Sequence, residues 1–346
     1  MQMVEIRTDD LLLRPWRPAD VADVRRAGRD PEPVGADAVS LAVCDAGDGT
    51  LLGGACLNAL DRSRGTATFD YWVAPWARSA VVATHAGRAL LGWAFERLGL
   101  VRADWCAVVG DHPARLTALR LGFRMIGVRP ASSGQPEEWL AALVPGDLTG
   151  PGHDVGPAVR RQATVFGGDP PTLVAGPVSL RPPAARDTAG LRAAYRDPEI
   201  IRWYGVPEQA TDADIHRFLV DTVRWQWARG EEAVFVVAGP DDAFTGIADL
   251  RIGDDPEVGE VGYAMLPEAR GRGHATAALR ALTRWGVTQL GLARIQWQAE
   301  VGNDASRRTA EKAGFTVEGV LRSGYEQDGR RRDCWVASML AREMTA

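Results

Sequence analysis

The stretch Pro267-Glu268-Ala269-Arg270-Gly271-Arg272-Gly273-His274-Ala275 joins an apolar strand to a helix, and its reading decides the fold. Before it, Val258 to Leu266 reads as a strand. After it, Ala275, Ala278, Leu279, Leu282 and Trp285 recur at helical spacing. Gly271 and Gly273 let the backbone come close to a bulky ligand. The helix start offers free N–H groups and the positive end of its dipole, so the junction is an anion site suited to a pyrophosphate. Arg270 and Arg272 can add charge-assisted hydrogen bonds. A dinucleotide-binding turn would need glycine where Thr276 stands, and a P-loop would need a following Gly-Lys-Ser/Thr. A glycine-rich turn with solvated arginines is the rival reading of these residues alone.

Outward from this junction the pattern mixes hairpins with strand–helix–strand units. Val178 to Arg181 reads as a short strand and Asp187 to Tyr195 as a helix. Ala233–Ala238 and Thr245–Ile252 are apolar strands around a Gly-Pro-Asp-Asp turn. Arg294 to Val301 alternates, with Ile295, Trp297, Ala299 and Val301 on one face and Gln296, Gln298 and Glu300 on the other, as in a half-buried strand. Ser306 to Ala313 is a short helix, and Val317–Leu321 and Asp333–Leu340 are strands joined by Gln327-Asp328-Gly329-Arg330. The class is α+β with a mixed, mostly antiparallel sheet flanked by helices.

The same pattern occurs earlier in the chain. Gly99-Leu100-Val101-Arg102, Trp105, Val109-Gly110 and Gly122-Phe123 recur at Gly291-Leu292-Ala293-Arg294, Trp297, Val301-Gly302 and Gly314-Phe315, a constant offset of 192 residues. Tyr71 and Pro75 recur at that offset as Tyr263 and Pro267. Nearer the start, Arg14-Pro15 and Asp30-Pro31-Glu32 recur as Arg181-Pro182 and Asp197-Pro198-Glu199, an offset of 167. The second half therefore holds 25 extra residues, placed in 200–229, which read Arg202-Trp203-Tyr204-Gly205 and then a helical stretch through Ile215, Phe218, Leu219 and Val223. The expectation is two tandem domains, 1–149 and 177–346, with the Gly- and Pro-rich 150–176 as a linker.

Composition bounds the function. The 346 residues suit two domains of ordinary size, and 46% hydrophobic with 25% charged residues is a globular balance. A formal net charge of -5 gives no electrostatic reason to expect nucleic acid. No apolar run approaches the roughly 20 residues that cross a bilayer, and Met1 to Arg7 lacks a signal-peptide profile, so a cytoplasmic protein without a membrane partner is expected. Cys44, Cys56, Cys106 and Cys334 form no C-x-x-C pair, which argues against a zinc site or disulfide framework. Lys312 is the only lysine.

Arg270-x-x-Gly273-x-Ala275 resembles the Q/R-x-x-G-x-G/A acyl-CoA signature of the GNAT N-acetyltransferase superfamily. Glu260-Val261-Gly262-Tyr263, Asn303-Asp304-Ala305-Ser306, Glu311-Lys312-Ala313-Gly314-Phe315 and Glu318-Gly319 resemble its ribosomal-protein N-terminal acetyltransferase branch, over about 178–342. The resemblance implies acetyl-CoA as cosubstrate, lying between two splayed strands that end near Met265 and Val301. The backbone of Arg270, Gly271, Arg272, Gly273, His274 and Ala275 would hold the pyrophosphate. The N–H near Met265 and Leu266 would polarise the thioester carbonyl. Asn303 would contact the CoA arm, and it can also cap the following helix. Ser306 is a candidate general acid and Glu260 a candidate base; a solvated helix residue and a surface strand residue are their plain alternatives. Tyr325 stands where one family pattern has a glutamate, with Glu326 adjacent, which leaves the base open. Trp203 and Tyr204 either line the acceptor pocket or pack in the core. Arg330-Arg331-Arg332 reads as a solvated turn or an acidic-substrate contact.

At the 192 offset the first half has Ser79, Ala80 and Val81 for Gly271, Arg272 and Gly273. It has Thr68, Asp111 and Ala114 for Glu260, Asn303 and Ser306. The first domain is thus a degenerate copy that would not bind CoA tightly, and would shape the acceptor pocket or replace a homodimer partner. The expected activity is attack of a primary amine, on a small molecule or a peptide N-terminus, on acetyl-CoA, by a pseudo-dimeric monomer or a homodimer. The alternatives are transfer of another acyl group, a CoA-binding regulatory protein without turnover, and aminoacyl transfer from tRNA.

Overall fold

A computed structural model describes the chain except residues 1–3, 31–34, 36, 78–79, 133, 151–154, 205–209, 328 and 345–346. Pro31, Glu32, Ser79, Gly205 and Asp328, used in the sequence comparison, lie outside the described residues. The chain divides into two units, Met1–Val155 and Gly156–Ala346.

The first unit runs β1 (Ile6–Arg7), β2 (Leu11–Arg14), α1 (Asp20–Arg26), β3 (Val39–Asp45), β4 (Leu51–Asp61), β5 (Thr66–Val73), α2 (Ala80–Trp93), β6 (Arg102–Val108), α3 (His112–Leu121), β7 (Arg124–Arg129) and β8 (Glu138–Leu143). Its sheet has the order β7-β8-β6-β5-β4-β3-β2-β1.

The second unit runs α4 (Pro157–Val165), β9 (Leu173–Ala175), β10 (Val178–Arg181), α5 (Thr188–Ala194), α6 (Pro198–Tyr204), α7 (Asp212–Arg217), α8 (Val223–Arg229), β11 (Glu232–Ala238), β12 (Phe244–Ile252) and β13 (Val258–Met265). It continues with α9 (His274–Trp285), β14 (Arg294–Glu300), α10 (Asp304–Ala313), β15 (Thr316–Gln327) and β16 (Arg330–Leu340). Its order, β15-β16-β14-β13-β12-β11-β10-β9, is that of the first sheet shifted by eight strands. The units are tandem copies of one α+β topology.

In both copies one pair of neighbouring strands is parallel and the rest are antiparallel. β13 and β14 pair only through Val258–Arg294, Gly259–Ile295 and Glu260–Gln296. β5 and β6 pair only through Thr66–Arg102, Ala67–Ala103 and Thr68–Asp104. Beyond these rungs the strands separate, since no further rung holds them. The repeat extends to local detail. A wider, π-type turn ends each long helix, at Ala94–Leu98 and Gly286–Leu290. Each is followed by a glycine of positive φ, Gly99 at 69° and Gly291 at 75°. Buried bidentate ion pairs tie the start of each copy, Arg14–Asp20 in the first and Arg181–Asp187 in the second.

The second unit's core lies between α9 and one sheet face, where Leu250, Val261, Ile295 and Trp297 are buried. Residues 156–176 carry α4 and β9 within the second unit, and Phe166 is 1% exposed, edge-on to Trp227 at 4.8 Å. Ala158, Gln162 and Phe166 are buried at helical spacing along and just after α4, and Gln162 donates to the Pro256 carbonyl at 2.6 Å. In the region of the extra residues, α6, α7 and α8 are helical, and Ile200, Ile215 and Leu219 pack on the opposite sheet face, against Ile247 and Ala264. In the first unit, Trp16 and Trp72 stack near this position at 6.2 Å, over Gly54.

Candidate active site

Where β13 and β14 part, the second unit has a cavity of about 800 Å³. That volume is in the range of about 300–1,000 Å³ usual for small-molecule sites. It reaches from the 270–276 loop, past the strand gap, to the face covered by α6.

The loop end is a backbone cradle. Gly271 has φ 73° and Gly273 φ 79°, a conformation that L side chains rarely adopt. Nothing lies within 4 Å of where their Cβ atoms would project, so the space before the loop is open. Gly273 is the N-cap of α9, and the first helical bond runs from Ala277 N–H to the Gly273 carbonyl. The amides of the first turn therefore lack helical acceptors. His274 is buried, and its Nδ1 has no hydrogen-bond partner among the described residues.

Arg270 is less free than its sequence position suggests. Arg270 donates to the Met265 carbonyl at 3.0 Å and is ion-paired with Asp197. Burial works to raise the Asp197 carboxyl, but the Arg270 bond and the Ile200 N–H outweigh it and hold the group below its ordinary range. Arg270 thus ties the cradle to the start of α6. Arg272 is exposed and does not line the cavity.

In the gap, the Leu266 N–H bonds the Thr245 carbonyl on β12. Because backbone groups alternate sides along a strand, the Met265 N–H points the other way, into the gap. Met265 lines the cavity, whereas the Leu266 side chain packs with the extra helices. Asn303 caps α10 through the Ser306 N–H at 3.1 Å and also lines the cavity. The Ser306 hydroxyl is 3.0 Å from the Tyr263 hydroxyl. Burial pushes Tyr263 above its usual range, while bonds to Ser306 and Thr309 oppose this.

Glu260 lies at the other end of the gap, on the sheet face opposite the core. Arg251 donates to its Oε1 at 2.8 Å, and Gln296 and Gln298 each donate to its Oε2 at 3.2 Å. Three donors thus share the acceptor sites of this carboxylate, one on Oε1 and two on Oε2. Beside it Asp249, 2% exposed, accepts from the Tyr204 hydroxyl at 2.5 Å. Gly262 leaves room for that carboxylate: a Cβ there would stand 2.7 Å from it. Tyr204 is pushed well above its usual range, by burial first and then by the Asp249 charge. Farther along the same row, Glu232 is raised to about 7 by burial and by repulsion from Asp249.

The structure brings Glu260, Met265, Gly271, Gly273, His274, Ala275, Asn303 and Ser306 around one cavity, which Trp203, Tyr204 and Tyr325 also line. Glu326 and Arg331 instead pair with each other at 3.4 Å, and Arg332 pairs with Glu300 at 3.4 Å. Sequence reading missed Asp249, Arg251 and the two glutamines. Their signal was available: two charges interrupt the apolar strand Thr245–Ile252, and register sets Glu232, Arg251, Glu260 and Gln296 in one row.

The first unit keeps the frame and lacks this chemistry. Asp111 caps α3 as Asn303 caps α10, Tyr71 bonds Thr117 as Tyr263 bonds Thr309, and Arg115 lies over Trp139 as Arg307 lies over Trp335. Val81, the counterpart of Gly273, is 54% exposed.

The acetyltransferase (GNAT) domain model matches residues 35–124 and 178–316, together more than half of the chain. The chain belongs to the GNAT acetyltransferase family. Its relatives include a Bacillus subtilis protein named "Putative ribosomal N-acetyltransferase YdaF", 32% identical over 149 residues that cover 41% of this chain and 78% of the relative. "Uncharacterized N-acetyltransferase YoaA" of the same organism is 26% identical over 171 residues, covering 49% of this chain and 97% of the relative. Among solved structures, Mycobacterium smegmatis RimJ in complex with CoA-disulfide is 26% identical, covers 51% of this chain and 90% of its own, and has a TM-score of 0.47. No helix among the described residues is long and apolar enough to cross a membrane.

Proposed function

We propose that the second unit, within residues 177–346, transfers the acetyl group of acetyl-CoA to a primary amine by direct attack. The carrying observation is the alignment along one cavity of a glycine cradle, an inward-facing N–H at Met265, and hydroxyl and carboxylate groups beside the strand gap. The cradle fits a pyrophosphate: both glycines face open space, and the first-turn amides of α9 point where an anion would lie. Bound there, acetyl-CoA supplies an activated acyl group.

The chain's own groups then act in order along the cavity. The amides of residues 270–275 hold the diphosphate, with Asn303 beside the arm. The Met265 N–H donates to a carbonyl oxygen entering the gap, stabilising the charge that develops there. Glu260 takes the amine proton, directly or through water. Ser306, backed by the Tyr263 hydroxyl, donates a proton to the departing sulfur. Trp203, Tyr204 and Tyr325 bound the acceptor space. The first unit, 1–149, keeps the fold without the cradle and does not bind the cosubstrate tightly. The acceptor is a small-molecule amine or a peptide N-terminus, and the reaction belongs in the cytoplasm, where acetyl-CoA is available.

Calorimetric titration of acetyl-CoA into the full chain, followed by thiol release with a panel of amines and N-terminal peptides, tests this reading. One equivalent bound and amine-dependent thiol release are expected. No binding, or two equal sites, overturns it. Binding of one equivalent without turnover on the panel would favour a CoA-binding regulatory protein.

A further inference from the structure

The proposed reaction uses the backbone of Arg270 and leaves its side chain without a role. That side chain joins three parts of the second unit. Its Nε donates to the Met265 carbonyl at 3.0 Å, and its Nη2 donates to Asp197 Oδ1 at 2.5 Å. The same carboxylate oxygen accepts from the Ile200 N–H at 2.9 Å, in the first turn of α6. One carboxylate, its side chain 9% exposed, therefore caps a helix and holds a guanidinium by a charge-assisted bond.

The Met265 carbonyl matters because of the peptide it belongs to. The carbonyl of that peptide is held by Arg270, and its N–H, that of Leu266, by the Thr245 carbonyl at 2.9 Å. A planar peptide held on both sides keeps one orientation, which fixes the backbone on the far side of the Met265 Cα, where the N–H faces the gap. β13 pairs with β14 only as far as Glu260, so at Met265 the strand is held from the β12 side. Arg270 supplies a second hold at this point, and Asp197 orients Arg270. The other end of the tie is α6, whose Trp203 and Tyr204 line the cavity. In the first unit the Ala74 N–H bonds the Leu52 carbonyl at 2.8 Å, matching the Leu266 bond, but Asp30, the counterpart of Asp197, is exposed. The strand end is common to both copies, and the buried carboxylate belongs to the second.

We propose that Asp197 is a positioning residue that acts through Arg270 to aim the Met265 N–H at the reacting carbonyl. The inference rests on that N–H being the carbonyl donor proposed above. A donor that meets charge as it develops contributes most in the transition state, so misaiming it lowers the rate more than the affinity. Asp197→Asn keeps an oxygen for the Ile200 N–H and removes the charge that holds Arg270. With an acceptor found by the amine panel, the full chain carrying this change should release thiol about 10- to 100-fold more slowly in single turnovers at saturating acceptor. Its dissociation constant for acetyl-CoA and its KM for the acceptor should stay within about threefold of native. Asp197→Glu, which keeps the charge, should recover most of the rate. The Asp197→Asn/Arg270→Gln double variant should be no slower than Arg270→Gln alone, because Asp197 then has nothing to act through.

An unchanged rate in Asp197→Asn overturns the proposal and leaves the proposed function intact. So does a raised acceptor KM at an unchanged rate, which would confine Asp197 to the wall formed by α6. Multiplying losses in the double variant also overturn it, since the two residues would then act separately. If Asp197→Asn does not fold, infrared spectra of carbonyl-labelled acetyl-CoA bound to native and Arg270→Gln chains decide. The carbonyl stretch should lie lower in the native complex, and equal frequencies overturn the aiming role. Failure of the native chain to bind acetyl-CoA overturns the transferase reading and this inference with it.

Discussion

Replacement of Gly273 tests the cradle most directly, because two physical terms can be separated there. The residue sits at φ 79°, and a Cβ added to it meets nothing within 4 Å. Gly273→Ala therefore adds backbone strain without a clash inside the protein, a cost of about 1–2 kcal/mol for an L-residue in the left-handed region. If all of that strain fell on the cosubstrate complex, binding would weaken roughly tenfold, at about 1.4 kcal/mol per decade. Gly273→Glu adds the same strain and directs a carboxylate into the open space where the diphosphate is proposed to lie. Two like unit charges 4 Å apart repel by about 4 kcal/mol at an effective dielectric near 20. The glutamate variant should bind acetyl-CoA about a thousandfold more weakly than the native chain. Its thermal midpoint should fall no further than that of the alanine variant. Calorimetric dissociation constants and melting curves of the three proteins provide the comparison. A glutamate variant within threefold of native would refute the cradle. Equal weakening by alanine and glutamate would show that backbone shape alone, without an anion at this point, sets the affinity.

Three further outcomes are expected. Glu260→Gln and Ser306→Ala should each lower kcat by about 10²–10⁴ on an acceptor found by the amine panel, the usual range for general acid–base groups. Their dissociation constants for acetyl-CoA should stay near native; loss of binding with unchanged kcat would remove both residues from the chemistry. Glu232, raised to about 7 from 4.5, keeps its proton in the folded state over a range where the unfolded chain has lost it. Its contribution to stability therefore declines as pH rises from about 4.5 to 7, by about 3 kcal/mol in all. Glu232→Gln should be more stable than native at pH 8 and equal to it below pH 4.5 in denaturant titrations; a stability difference independent of pH would contradict this. Asp187→Asn leaves the buried Arg181 guanidinium without its bidentate partner at 2.7 and 2.9 Å. Its denaturation free energy should drop by about 3 kcal/mol, while a loss below 1 kcal/mol would mean that the nearby Asp242 compensates.

The sequence by itself determined the tandem architecture, because repeated glycines, aromatic positions and strand–helix spacing are local features that survive in a linear record. The offset of 192 residues aligns β5 with β13, β6 with β14 and α3 with α10. The helical nature of the extra residues was legible from Ile215, Phe218, Leu219 and Val223 at helical spacing. The glycine loop announced its backbone form, since positive φ at Gly271 and Gly273 demands the residue that stands there. The helix in segment 156–176 was not legible, because its buried positions Ala158, Gln162 and Ala163 are small or polar and leave little hydrophobic pattern.

Only the tertiary structure decided which charges are spoken for. Arg270 reads as a phosphate ligand until Asp197, 73 positions away in the chain, is found bound to it. Glu260 reads as a free carboxylate until Arg251, Gln296 and Gln298 from two neighbouring strands are found on its oxygens. Arg308 and Lys312 look no different in sequence from Arg307, and only their place on the cavity wall and the lack of an ion-pair partner among the described residues set them apart. The physical reason is range. Backbone preference and hydrophobic periodicity are written in neighbouring residues. The chemistry of an ionisable side chain is set by whichever groups strand register and helix packing bring within a few ångströms of it.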